Sequence, residues 1–274
     1  MTAAIVVLTD FLAVPNRALS YAAALAVPLE AHLVLLHVRH DGLLAPQEYA
    51  AHRHAGRNLR SMQQALHTLA ECQPVPTQIE ISESFLPDAV AEAVRHHQPM
   101  LLVLGRPGTA TAPAEVVTSA AMDLLRQAPY PLLIVPTVGW DAAAPRRLVL
   151  AVDGEPFALC DNHLIVLHLL EKLNATLEVV HVTDKRGAKH APQHILYTVQ
   201  AGGLADHLTP DQVSVVHGLQ PVEGILQAAT DFDADLIVLV ARRHNLLSSL
   251  FHRSVTAQLL CESPIPVLLL PSLD

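Results

Sequence analysis

The sequence predicts an α/β chain of two doubly wound domains, each a five-stranded parallel sheet with helices on both faces. Composition is the first reason. Hydrophobic residues make up 51% of the 274, charged residues 16% and aromatics only 4%, so the core is left to Leu, Val, Ile and Ala, as in parallel strands buried on both faces. An internal repeat is the second, and the alternation of β-branched runs with Ala/Leu-rich stretches, the pattern of βαβ crossovers, is the third.

Four segments recur in the same order. Ile5 to Asp10 (IVVLTD) matches Leu148 to Asp153 (LVLAVD), and Glu30 to Val38 (EAHLVLLHV) matches Asn174 to Val182 (NATLEVVHV). Leu101 to Arg106 (LLVLGR) matches Ile237 to Arg242 (IVLVAR), and Pro129 to Pro136 (PYPLLIVP) matches Pro264 to Pro271 (PIPVLLLP). The offset falls from 144 at His37 and His181 to 135 at Pro129 and Pro264, so the first copy carries about nine extra residues, which belong in a connection. Thr137 to Pro145 (TVGWDAAAP) has linker composition, and domains of 1–138 and 146–274 follow.

In the first copy the strands are expected at Ala4–Thr9, His32–Val38, Thr77–Ser82, Met100–Leu104 and Leu132–Val135. Helices fill the gaps, with Pro113 suited to the first turn of the fourth and Pro129 and Pro131 ending it. The second copy repeats the scheme with strands at Arg147–Val152, Thr176–Val182, Gln212–Val216, Leu236–Val240 and Val267–Leu270.

Several function classes are disfavoured. A net charge of −9 without a Lys/Arg cluster longer than a pair gives no basic footprint for nucleic acid. No apolar run reaches the eighteen or so residues of a membrane span, and Met1 to Asp10 lacks a signal-peptide n-region, which places the chain in the cytoplasm. Cys72, Cys160 and Cys261 are far apart and read as buried free thiols rather than disulfide or zinc ligands. The 17 histidines include the neighbours His96 and His97, but none shows zinc spacing, so no metal site is expected. P-loop, dinucleotide and nucleophile-elbow motifs are missing, and Asp10 and Asp153 have no evident acid or nucleophile partner, so no catalysis is visible. His37 and His181 precede the same strand end in both copies and suggest a shared packing or hydrogen-bonding role.

Ligands of an open α/β sheet bind at the carboxyl ends of the strands, where strand order reverses. Asp10, Val38, the loop from Gly105 to Gly108 and the pair Thr118-Ser119 are delivered there in the first copy. The spacing is G-x2-G-x9 followed by Thr-Ser. The glycines also suit an ordinary turn after a strand. In the second copy the comparison reads Ala241-Arg-Arg-His244, with an interval one residue shorter, before Arg253-Ser254. Arg242, Arg243, Arg253 and Ser254 form a candidate site for a small anion or an acidic partner surface, with a solvated basic loop as the competing reading.

Taken with Gly218 to Pro221, which resembles a VxGxP motif, and the paired P-x-P-hydrophobic-P tails, the chain resembles a tandem universal stress protein over nearly its whole length. The resemblance implies an adenine nucleotide α-hydrolase-like fold. It also implies a nucleotide site in which Gly105 and Gly108 bring backbone N–H groups to phosphate, Ser119 beside Thr118 bonds a phosphate oxygen, Asp10 lies near the nucleoside and Val38 lines the base. ATP with Mg is the implied ligand of the first domain, and none is expected in the second, where Arg replaces Gly. The family's fifth-strand pairing implies that the two domains pair within the chain as a pseudo-dimer, leaving a homodimer and an unidentified protein partner open. The expected function is a stress-response protein acting through conformation or partner binding, a slow ATPase at most; a ligand-free interaction module with vestigial clefts is the alternative.

Overall fold

A computed structural model describes residues 3–9, 15–38, 58–106, 114–136, 143–184, 191–204, 208–242 and 254–273. The first copy runs β1 (Ala4–Thr9), α1 (Pro15–Ala26), β2 (His32–Val38), α2 (Asn58–Glu71), β3 (Thr77–Ser82), α3 (Leu86–His97), β4 (Leu101–Arg106), α4 (Ala114–Gln127) and β5 (Leu132–Pro136). The second runs β6 (Arg147–Ala151), a 3-10 turn at Cys160–His163, α5 (Leu164–Leu173), β7 (Thr176–Val182), α6 (Pro192–Ala201), β8 (Val213–Val216), α7 (Pro221–Asp231), β9 (Leu236–Ala241), α8 (Val255–Glu262) and β10 (Val267–Pro271). Strand order is β3-β2-β1-β4-β5 in the first copy and β10-β9-β6-β7-β8 in the second. Every described strand pair is parallel. This is the doubly wound α/β architecture read from the sequence, and the strands fall within two residues of the expected bounds.

Central strands have no polar face. All six residues of β1 are buried, and Ile5, Val6 and Val7 expose none of their surface. Such strands pack helices on both sides, which removes the alternation that would mark a half-exposed strand. Helix ends follow local chemistry. Gln98 and Asn174 close α3 and α5 in the left-handed region, at φ 44 and φ 50, while Pro192 and Pro221 open α6 and α7 at positions where a missing N–H costs nothing.

The backbone divides into two compact units, Met1–Ala128 with Ile134–Ala143 and Pro129–Leu133 with Ala144–Asp274. Asn162 anchors a strand end of the second unit, its Nδ2 donating to Pro271 O at 2.9 Å and to Pro129 O at 3.3 Å.

The register corrects the sequence comparison by one residue. Met100 N–H donates to Ala4 O at 2.9 Å, and Asp235 N–H donates to Arg147 O at 2.8 Å, so Leu101 corresponds to Leu236 and not to Ile237. The pairings Ile5 with Leu101 and Leu148 with Leu236 agree. From β4 onward the offset is therefore a constant 135, as in the tails. Gly105 corresponds to Val240, Arg106 to Ala241, Pro107 to Arg242, Gly108 to Arg243, and Thr118-Ser119 to Arg253-Ser254. The interval is the same length in both copies, and the expected one-residue deletion does not exist.

The cysteines are free, but Cys72 and Cys160 are exposed and Cys261 is half-buried, contrary to the burial expected. Among the described residues no helix is long and apolar enough to cross a membrane, and no group of three metal-ligating side chains is found. His97 is engaged by Glu80 of β3, with 2.6 Å from its Nε2 to Oε2, while His96 lies 3.9 Å from the same carboxylate.

Candidate functional site

In each copy strand order reverses beside the first strand, between β1 and β4 and again between β6 and β9. In a doubly wound sheet the chain leaves two such neighbouring strands toward opposite faces, and ligands bind in the crevice outside their carboxyl ends.

The first crevice is built from the ends of β1, β2 and β4. Thr9 pairs with His37, and Leu8 with Leu104, which sets Gly105 next beyond Leu104 along β4. His37 is 4% exposed and its Nδ1–H donates to Thr9 O at 2.9 Å, an assignment that follows because a carbonyl can only accept. Val38 is buried at the end of β2, and Gly105 is buried within β4. Thr9 is 8% exposed, and its Oγ1 has no hydrogen-bond partner among the described residues. Burying a hydroxyl without a partner is costly, so such a group at a switch point marks a place where polar matter is wanted.

Ser119 is exposed and lies on α4 after Thr118, whose backbone is helical too. Because α4 begins at Ala114, the unpaired N–H groups of its first turn fall on residues 114–117, ahead of this pair. Val38 and Gly105 thus share the strand-end layer, whereas Ser119 stands a turn inside a helix. Asp10 and Gly108 lie outside the described residues, as do Arg243 and Arg253.

The second crevice holds a different arrangement. Arg242, directly after β9, reaches Asp153, two residues after β6, with Nε donating to Oδ2 at 2.9 Å and Nη2 to Oδ1 at 2.8 Å. It also donates to Pro156 O and Glu155 O, each at 2.8 Å. Burial alone pushes the Asp153 carboxyl up. The Arg242 hydrogen bond, the Glu155 N–H and the guanidinium charge outweigh it and hold the pKa below the ordinary 3.8. His181, 2% exposed, repeats the contact of His37 by donating Nδ1–H to Val152 O at 3.0 Å. Thr9 has an apolar counterpart here, Val152. Ser254 caps α8, its Oγ accepting from Ala257 N at 3.1 Å.

Two features escaped the sequence reading. The Asp153–Arg242 pair joins residues 89 apart with no motif between them, and the unpartnered Thr9 hydroxyl sits in an otherwise apolar run. The constant offset of the proline tails was the one available signal for the register.

A doubly wound α/β fold repeated twice, each copy with its own switch point, defines a tandem α/β protein. The model of the universal stress protein family matches residues 1–136 and 145–271, and the chain belongs to that family. Comparison with the curated proteins gives no match. Among solved structures, a universal stress protein from Archaeoglobus fulgidus DSM 4304 is 16% identical with a TM-score of 0.68 over 98% of both chains. A functionally unknown protein from Pseudomonas aeruginosa PAO1 is 19% identical with a TM-score of 0.57, over 99% of this chain and 93% of that one. At these identities the likeness is one of fold.

Proposed function

We propose that this universal stress protein binds a nucleotide, ATP with Mg, in the crevice of its first copy and transmits occupancy through conformation or through a protein partner. The observation that carries the reading is the buried Thr9 hydroxyl at the β1–β4 switch point, without a hydrogen-bond partner among the described residues, beside the buried Gly105, where the second copy has Val152. Val38 offers the base an apolar wall, and Gly105 lets backbone come close to phosphate. Asp10, Gly108, Thr118 and Ser119 complete the proposed set. The protein works in the cytoplasm, and its copies pair through β5 and β10, short strands whose side chains are buried throughout.

Calorimetric titration with Mg-ATP, alongside mass spectrometry of small molecules released on denaturation, tests the reading. Binding that is lost in Gly105→Val supports it. Absence of both heat and released nucleotide refutes it and leaves the interaction-module alternative, while an undiminished affinity in Gly105→Val removes the site from β4.

A further inference from the structure

The second crevice is bridged by the protein itself. Arg242 starts at the end of β9 and Asp153 follows β6, and these are the two strands between which the order reverses. Four donor–acceptor contacts of 2.8 to 2.9 Å tie the guanidinium to the carboxylate and to two carbonyls of the turn at 153–156. The Arg242 side chain is 8% exposed, so its charge has left water and is answered by protein groups.

The turn is shaped to receive it. Asp153 Oδ1 also accepts the Glu155 N–H at 3.0 Å, and Gly154 adopts φ +83. A Cβ on Gly154 would stand 3.0 Å from His181 Cε1, so the turn rests against the ring that holds Val152 O. His181 and Arg242 therefore hold the same turn at two points.

The first copy shares one of these points only. His37 makes the matching contact to Thr9 O, but Pro107 stands where the register places Arg242, and proline brings neither charge nor donor. Pro107 therefore cannot make this clamp in the first copy.

We propose that Arg242 is a built-in occupant of the second crevice, spanning the switch point where a ligand would enter and confining nucleotide binding to the first copy. The confinement rests on the nucleotide reading above; the clamp does not.

Two measurements on the full chain separate these parts. In a thermal double-mutant cycle of Asp153→Asn and Arg242→Met, each single substitution lowers Tm by about 2–4 °C and the double variant falls no further than the worse single. Additive losses overturn the clamp. Should Arg242→Met not fold, Arg242→Lys replaces it in the cycle, keeping the charge without the planar fork, and the same non-additivity is expected. Photolabelling of the wild type with azido-ATP, followed by peptide mapping, is expected to mark residues 1–136 only. Label within 145–271 overturns the confinement. No label anywhere refutes the nucleotide reading, and the cycle then decides the clamp by itself.

Discussion

His181 holds the Val152 carbonyl at 3.0 Å through Nδ1, and the same bond joins His37 to Thr9 at 2.9 Å in the first copy. Each imidazole is buried, so removing it leaves a cavity and strands a buried carbonyl. His37→Ala and His181→Ala should each cost about 2 kcal/mol or more, read as a lower urea midpoint. A loss under about 0.5 kcal/mol in either would contradict the role assigned.

Gly154 and Gly218 both take positive φ, at +83 and +80, but only Gly154 faces an obstacle. Alanine at Gly218 meets nothing within 4 Å and carries the left-handed cost alone, about 1 kcal/mol. At Gly154 the added methyl also presses on His181 and on Ile195 Cδ1 at 3.2 Å. Chemical denaturation should rank Gly154→Ala below Gly218→Ala, and the reverse order would mean that the turn relaxes freely.

The Asp153 carboxyl is held below its ordinary 3.8, so its contribution is complete above that value and is lost as pH falls through the lower folded one. Its side chain is 55% exposed, and solvent screening keeps the effect modest. Scans of Tm against pH should show the wild type ahead of Asp153→Asn at neutral pH, with the gap closing below about pH 4. A gap that widens on acidification would reverse the assignment.

Glu178 shifts the other way, raised by burial without a compensating charge. Its charged form is disfavoured in the folded chain, so its contribution is present below the unfolded 4.5 and is lost as pH rises through the folded value. Glu178→Gln should raise Tm at neutral pH and change it little in acid. A neutral-pH decrease would show that the carboxylate is doing something other than bearing a desolvation cost.

The α8 cap is a local test of the second copy. Ser254→Ala removes the acceptor of Ala257 N–H and should cost about 1 kcal/mol by thermal or chemical melting, whereas Ser254→Asp should hold stability close to wild type.

How far the sequence carried depended on what each residue had to answer to. Strand positions were legible because β1, β2, β6 and β9 are apolar runs bounded by punctuation. For the same reason the match of β4 to β9 slipped: a strand buried on both faces has no polar side to mark its phase, so LLVLGR fits IVLVAR as easily as LIVLVA. The paired histidines were readable because polar residues repeated within an apolar strand stand out. The pairing of Arg242 with Asp153 was not, because it is set by β6 and β9 lying side by side, a fact of topology.

Under the proposed division between the copies, the Arg242–Asp153 bridge also sets how each half meets a changing cell. A domain held together by a diffusing ligand gains stability as that ligand accumulates, by about 2.7 kcal/mol at a hundredfold excess over Kd. A partner tethered within the chain has an unvarying local concentration. On the proposed reading, the second copy is a constant reference, and ligand occupancy registers as a change in the first copy against it.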